Sequence, residues 1–228
     1  MINILSETSK CRGYRISFGI RIILASWLLF SFTQQLLAAP ASQPSPSKEA
    51  ILQEAHGLIN QDNPQSLRKA ISLLEGNSAQ FPEEVRFPLY LAEAYYRLAN
   101  PDADVAGEYQ YYEKTETYAQ KALHMENRPE AHYWYGLALL KKAQKKGGMG
   151  AFSIVKEGIR ELNIVRQTAP TLDHAGASRV LSQLYAQAPR WTPFGDRDKA
   201  ISLAQEAVRL APDYPENRKV LEEAEGRR

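Results

Sequence analysis

The residues best placed to do chemistry in this 228-residue chain are cations and aromatics, and neither group is arranged for catalysis. Lys141-Lys142-Ala143-Gln144-Lys145-Lys146 runs into Gly147-Gly148-Met149-Gly150. Lysines beside a glycine-rich turn could hold an anion, but a phosphate loop needs its glycines first, with Lys and then Ser or Thr after them. The order here is reversed. What remains is a solvated helix end whose cations complement the negative end of the helix dipole. His124 and His132 lie near Glu126 and Glu130. They straddle a helix break and lack the H-E-x-x-H spacing, so they define no metal site. The chain also has no Gly-x-Ser-x-Gly elbow, no dinucleotide fingerprint and no cysteine pair. We therefore expect no catalytic residue, cofactor or metal, and read a binding protein rather than an enzyme.

Candidates for binding are better defined. Nine tyrosines, from Tyr90 to Tyr135, fall within 46 residues. Tyrosine offers a large rigid surface with a polar tip, which suits an aromatic groove for a peptide or a small apolar ligand. The same density also suits simple packing between three adjacent helices. Helical spacing turns Tyr95 and Tyr135 inward and puts Tyr96 and Tyr133 on a concave surface. Arg86, Arg179 and Gln183 fall on that surface too. Arginine grips carboxylates, including a peptide C-terminus, unless an internal ion pair engages it first. Trp191-Thr192-Pro193-Phe194-Gly195 is an aromatic loop between polar neighbours, suited either to a contact tip or to covering the core. The partner-binding candidates are thus Arg86, Tyr96, Tyr133, Arg179, Gln183 and Trp191.

The elements that must position these residues are repeated helices. Apolar residues recur at helical spacing over 48–60, 64–76, 83–99, 104–125, 129–146, 152–168, 173–187, 196–210 and 214–226. No alternating strand stands out. Four segments close alike, at Pro82, Asn127, Pro170 and Pro212, and a recurring unit of this length signals a stacked helical array. Gly57, Ala92, Gly136 and Ser182 are expected where paired helices cross closely, since a larger side chain would part the backbones. From these residues to the closing ones the spans are 25, 35, 34 and 30 residues. The added length falls at Asn100–Glu108, Lys145–Ser153 and Ala188–Gly195, where it either lengthens helices or builds loops along one edge. Glu222, Glu223 and Glu225 suggest that the last helix caps the stack with a polar face.

Ala131-His132-Tyr133-Trp134-Tyr135-Gly136, and Lys199-Ala200-Ile201 through Ala207-Val208 to Pro212, resemble the first and second helices of tetratricopeptide repeats. The resemblance implies an all-α superhelix of hairpins over 48–228 that grips a protein or peptide in its concave groove. The second half, Ala131 to about Asn217, also resembles the T component of tripartite periplasmic (TRAP-type) transporters. The residues that carry this likeness are Tyr133-Trp134-Tyr135-Gly136, Gly147-Gly148, Arg179-Val180-Leu181 and Ala211-Pro212-Asp213-Tyr214-Pro215-Glu216-Asn217. That likeness implies a ligand-binding accessory of a transport system.

The N-terminus reads as a leader. Lys10, Arg12, Arg15 and Arg21 precede an apolar stretch from Ile22 to Leu37, and Ala39-Pro40-Ala41 follows, with cleavage expected after Ala41. The protein would then be periplasmic or secreted; an uncleaved N-terminal anchor is the alternative, and would be the only membrane contact. Residues 42–47 (Ser-Gln-Pro-Ser-Pro-Ser) read as a linker. Removing 1–41 lowers Lys plus Arg from 28 to 24 and Asp plus Glu from 26 to 25, so a net charge of +2 becomes −1. That balance gives no reason to expect nucleic acid. Cys11, the single cysteine, precedes the cleavage point, so no disulfide is expected.

Overall fold

A computed structural model describes residues 47–99 and 108–226. The leader at 1–41, residues 42–46 of the linker, and nearly all of the insertion beginning at Asn100 lie outside the described residues. The described residues hold nine α-helices and no strand, and no helix is long and apolar enough to cross a membrane.

Local chemistry starts and stops these helices. α1 (Lys48–Asn60) begins at Ser47, whose hydroxyl accepts the Ala50 N–H at 3.3 Å. α2 (Pro64–Ser78) begins at Asn63, whose side chain accepts the Ser66 N–H at 3.0 Å, with Pro64 in the first turn. α3 (Arg86–Leu98) and α4 (Glu108–Met125) follow. α5 (Pro129–Lys146) stops at Gly147 and Gly148, with φ of 63° and 65°, a left-handed geometry that glycine adopts at low cost. One 3-10 turn, Met149–Ala151, leads into α6 (Phe152–Thr168). Then come α7 (Gly176–Gln187), α8 (Arg197–Leu210), capped by the Asp196 carboxylate on the Lys199 N–H at 3.0 Å, and α9 (Pro215–Glu225).

Each helix packs on the next, and α1 also meets α3, α3 meets α5, and α7 meets α9. This is the all-α array of tetratricopeptide-like hairpins that the repeated closures imply. One apolar cluster, with Ile51, Leu67, Leu74, Phe87 and Leu91, fills the first three helices. A second, with Leu137, Leu162, Leu181, Leu203 and Val220, joins the last five. α9 buries Asn217, Val220 and Ala224 and exposes Glu222 and Glu223, as a capping helix should.

The close crossings follow the small residues, with one exception. A Cβ on Gly136 would lie 2.9 Å from Leu162 Cγ and 3.2 Å from the Gly158 carbonyl oxygen. A Cβ on Gly158 would lie 3.1 Å from the Gly136 carbonyl oxygen, so α5 and α6 touch backbone to backbone. Ser182 is fully buried and donates to the Ala200 carbonyl at 2.8 Å across α7 and α8. Ala92 packs with Ala119 and Tyr135 at the seam of α3, α4 and α5. In the first pair the expectation fails. Gly57 is exposed with nothing within 4 Å of its would-be Cβ, and the fully buried small residue is Ala55. An offset of two residues turns a helical position by about 200°, from core to solvent.

Two helix starts also differ from the sequence reading. α3 starts at Arg86 because residues 81–85 form a turn, in which the Glu84 N–H meets the Phe81 carbonyl at 3.1 Å. α7 starts at Gly176 because Asp173, His174 and Ala175 are left-handed, with φ of 48°, 53° and 62°.

These geometries separate two glycines that composition treats alike. Gly136→Val should cost about 2 kcal/mol or more through overpacking. Gly57→Ala should be neutral or gain up to about 1 kcal/mol by helix propensity. Urea unfolding midpoints of the two variants check this directly.

Candidate functional site

The first helices of successive pairs line an inner groove of about 410 Å³. α1 gives His56 and Asn60, and α3 gives the stripe Arg86, Tyr90, Glu93 and Arg97. That spacing keeps one face of α3 toward the groove. The start of α5 adds Glu130 and Trp134, and the turn before α7 adds Leu172 and Asp173. His56 stacks on Tyr90 with ring centroids 5.5 Å apart.

Most charges in the groove already have partners. Arg86 grips Glu49 at 2.9 and 2.7 Å and Glu84 at 2.7 and 2.8 Å. Arg86, helped by Lys48, holds the Glu84 carboxyl down at about 2. Arg97 binds Glu93 at 2.7 Å and approaches Asp62 at 3.4 Å. Arg128 is looser, 3.6 Å from Glu130 and 3.9 Å from Glu126. Two buried polar atoms in this groove have no hydrogen-bond partner, the Arg97 Nε and the Glu130 Oε2. Both are shielded from solvent, and the Glu130 Oε2 keeps its loose ion pair with Arg128.

The far wall hangs on Asp173. Tyr133, only 2% exposed, donates to its Oδ2 at 2.5 Å. Arg179 donates to the same oxygen at 2.8 Å and reaches the carbonyls of Asp173 and His174 and the Asn217 Oδ1 at 3.1–3.2 Å. Its guanidinium lies over the Tyr214 ring, 4.8 Å from the centroid, and His174 stacks on the same ring at 4.4 Å. Burial, and then the Asp173 charge, lift the Tyr133 phenol well above its usual 10. Gly176 must be glycine, since a Cβ there would sit 2.3 Å from the Tyr133 hydroxyl oxygen.

A second hollow of about 610 Å³ opens between α5, the start of α6, and α7. Tyr96, Leu140, Gln144, Val180, Gln183 and Gln187 are among its walls. Tyr96, pushed up to about 12 by burial and then by Asp173, packs on Trp134 at 5.6 Å. The two rings thus stand where one hollow gives way to the other.

The six sequence candidates separate as follows. Arg86 lines the first groove but is bound to two internal carboxylates. Tyr133 is the buried floor of that groove, and the ring that lines its wall is Trp134. Arg179 is the clamp on Asp173. Tyr96 and Gln183 share the second hollow. Trp191 stands apart and 79% exposed, while Phe194 of the same loop packs edge-on against Phe152 at 5.6 Å. The sequence reading passed over His56, Asn60, Tyr90, Glu93, Arg97 and Asp173; the stripe 86, 90, 93, 97 was the signal that could have found the α3 set. His124 bonds the Gln120 carbonyl and His132 lies between Glu161 and Asn127, so the two histidines serve separate contacts.

Helix pairs stacked so that their first helices line a groove define a helical-repeat protein of tetratricopeptide-like fold. A thermophilic TPR protein of Thermus thermophilus has a similar structure, with a TM-score of 0.56 and 18% sequence identity. The match covers 90% of this chain and 95% of that one, and it bears on the fold alone. The family described as regulator of microtubule dynamics protein 1-3 matches residues 51–156, from α1 into the start of α6. Among curated proteins none matches the chain.

Burial raises the phenols of Tyr90, Tyr95, Tyr96, Tyr118, Tyr133 and Tyr135. Unfolded tyrosines ionise near 10, so just above that pH the unfolded chain releases protons that the folded chain keeps. Stability is intact below about pH 10 and falls as pH rises through the next two units. The melting temperature should drop steeply there, with tyrosinate absorbance appearing together with loss of helix. A melting temperature unchanged to about pH 12 would contradict these buried phenols.

Proposed function

We propose that the chain is a protein-interaction scaffold that holds a partner segment in the groove between α1, α3 and α5. The observation that carries this is the lining of that groove, where the rings Tyr90 and Trp134 stand beside the polar side chains of His56, Asn60 and Arg128. A peptide segment supplies an apolar side chain for the rings and backbone hydrogen-bonding groups for the polar wall. Arg86 contributes rigidity to the wall rather than a free grip, since Glu49 and Glu84 engage it. The basic Lys10–Arg21 region and the apolar Ile22–Leu37 stretch support export, which would put the scaffold in the periplasm or outside the cell.

The second hollow supports the alternative of a transport accessory that carries a small ligand. Its walls mix apolar Leu140, Val155, Val180 and Leu184 with Gln144, Gln183 and Gln187. This agrees with the resemblance of residues 131–217 to the T component. Native mass spectrometry of the chain from its own host would favour that reading if a small molecule is retained, and would set it aside if the mass is bare.

For the scaffold, a photo-crosslinking residue at position 90 should give a discrete protein adduct in the native host. The same residue at exposed position 114 on α4 should not. Trp134→Ala should weaken binding of that adducted partner at least about tenfold, as expected of an aromatic anchor. Equal labelling at both positions, or full affinity in Trp134→Ala, would refute a groove site.

A further inference from the structure

Two loops at one edge of the array carry a feature that groove binding does not use. The α5–α6 turn and the α7–α8 loop abut through Phe152 and Phe194, whose rings meet edge-on at 5.6 Å. Three residues before each of these rings, Met149 and Trp191 are 81% and 79% exposed. The Trp191 loop is nevertheless built. The Thr192 N–H and hydroxyl both donate to the Pro189 carbonyl, at 2.9 and 2.7 Å. The Gly195 N–H meets the Thr192 carbonyl at 3.3 Å, and a Cβ on Gly195 would strike the Pro189 oxygen at 2.4 Å. A fixed loop thus tucks Phe194 in and holds Trp191 out.

The charge within these two sequence segments is one-sided. Residues 141–156 contain five lysines and no acid, and residues 188–195 add Arg190 and no acid. Six cations without a carboxylate in 24 residues stand out on a chain whose total is only +2. Lys146, Lys156 and Arg190 are exposed, and so is Lys145, which has an interaction partner of its own. Lys142 is paired with Glu116, and Lys141 lines the second hollow. The neighbouring acids are partly engaged: Glu157 accepts from the Tyr135 hydroxyl, and Asp196 caps α8, while Asp198 is exposed.

We propose that this edge docks on an anionic membrane surface. Trp191 and Met149 enter the headgroup region while Lys146, Lys156 and Arg190 lie over the lipid charges. Separate protruding apolar tips with exposed cations in the same two segments fit a soft interfacial layer, where tryptophan favours the boundary and each nearby cation adds attraction. A folded protein partner needs instead a broad continuous patch. This edge is distinct from the groove, so the proposal stands or falls apart from the scaffold reading.

The test reads Trp191 itself, because the apolar stretch at 22–37 could bring the full chain to any bilayer. Emission of the full chain minus that of Trp191→Phe isolates its signal. Vesicles with brominated acyl chains are made of phosphatidylcholine alone or with about one third phosphatidylserine. The Trp191 emission should shift blue and be quenched at least about threefold more in the anionic vesicles, and about 0.5 M salt should remove the difference. Lys146→Glu/Lys156→Glu/Arg190→Glu, with helix content unchanged by circular dichroism, should abolish it while leaving Trp191 in place. Absent quenching, equal quenching in both vesicles, or an unaffected charge-reversal variant would overturn the proposal. So would a Trp191 signal that responds to a protein partner and not to lipid.

Discussion

One carboxylate holds the groove's far wall. The first helices α1, α3 and α5 pack successively along one another, but the backbones of α5 and α7 stand farther apart. Side chains span that gap, and Asp173 is their meeting point, taking a proton donor from Tyr133 of α5 and another from Arg179 of α7. The turn that presents Asp173 is strained, with three successive non-glycine residues in the left-handed region. Each such residue costs about 1 kcal/mol or more. The guanidinium of Arg179, bonded to the carbonyls of Asp173 and His174, and the fully buried Asn217 amide, bonded to the His174 carbonyl, over-determine the turn. The same spacing that requires this turn leaves room for the second hollow.

Aromatic rings extend that constraint back through the array. Tyr95 and Tyr118 both donate to the Glu75 Oε1 at 2.8 Å, joining α2, α3 and α4. On the next stripe of α3, Tyr96 meets Tyr112 of α4 and Trp134 of α5, and Trp134 meets Tyr133. The tyrosine density therefore serves both readings that composition allows. Most of these phenols lock helices together, and Tyr90 with Trp134 lines the groove.

Much of the fold was legible because its signals are local. Asn63-Pro64 and Asp196 announce helix starts, Gly147-Gly148 a stop, and the Gly136 and Ser182 crossings follow from size alone. Ala70, Thr115, Gly158 and Ala200 are all buried, each twelve residues before a closing residue. The site was less legible, for three physical reasons. A one-residue step turns a helix by about 100°, so Tyr133 forms the buried floor of the groove while its neighbour Trp134 lines the wall. Arg86 and Arg179 are engaged in part by Glu49 and Asn217, 37 and 38 residues away, and no local spacing reveals those two partners. Asp173 and His174 are of types that tolerate the left-handed region, but Ala175 is not, and three such residues in a row are held there by tertiary contacts.

The most direct measurement is a double-mutant cycle between Tyr133→Phe and Asp173→Asn by chemical denaturation. If Asp173 ties α5 to α7 through Tyr133, the two losses should be non-additive, with a coupling of about 1 kcal/mol or more. Additive losses within about 0.3 kcal/mol would mean that the junction does not carry the far wall, and the account of how this groove is shaped would be wrong.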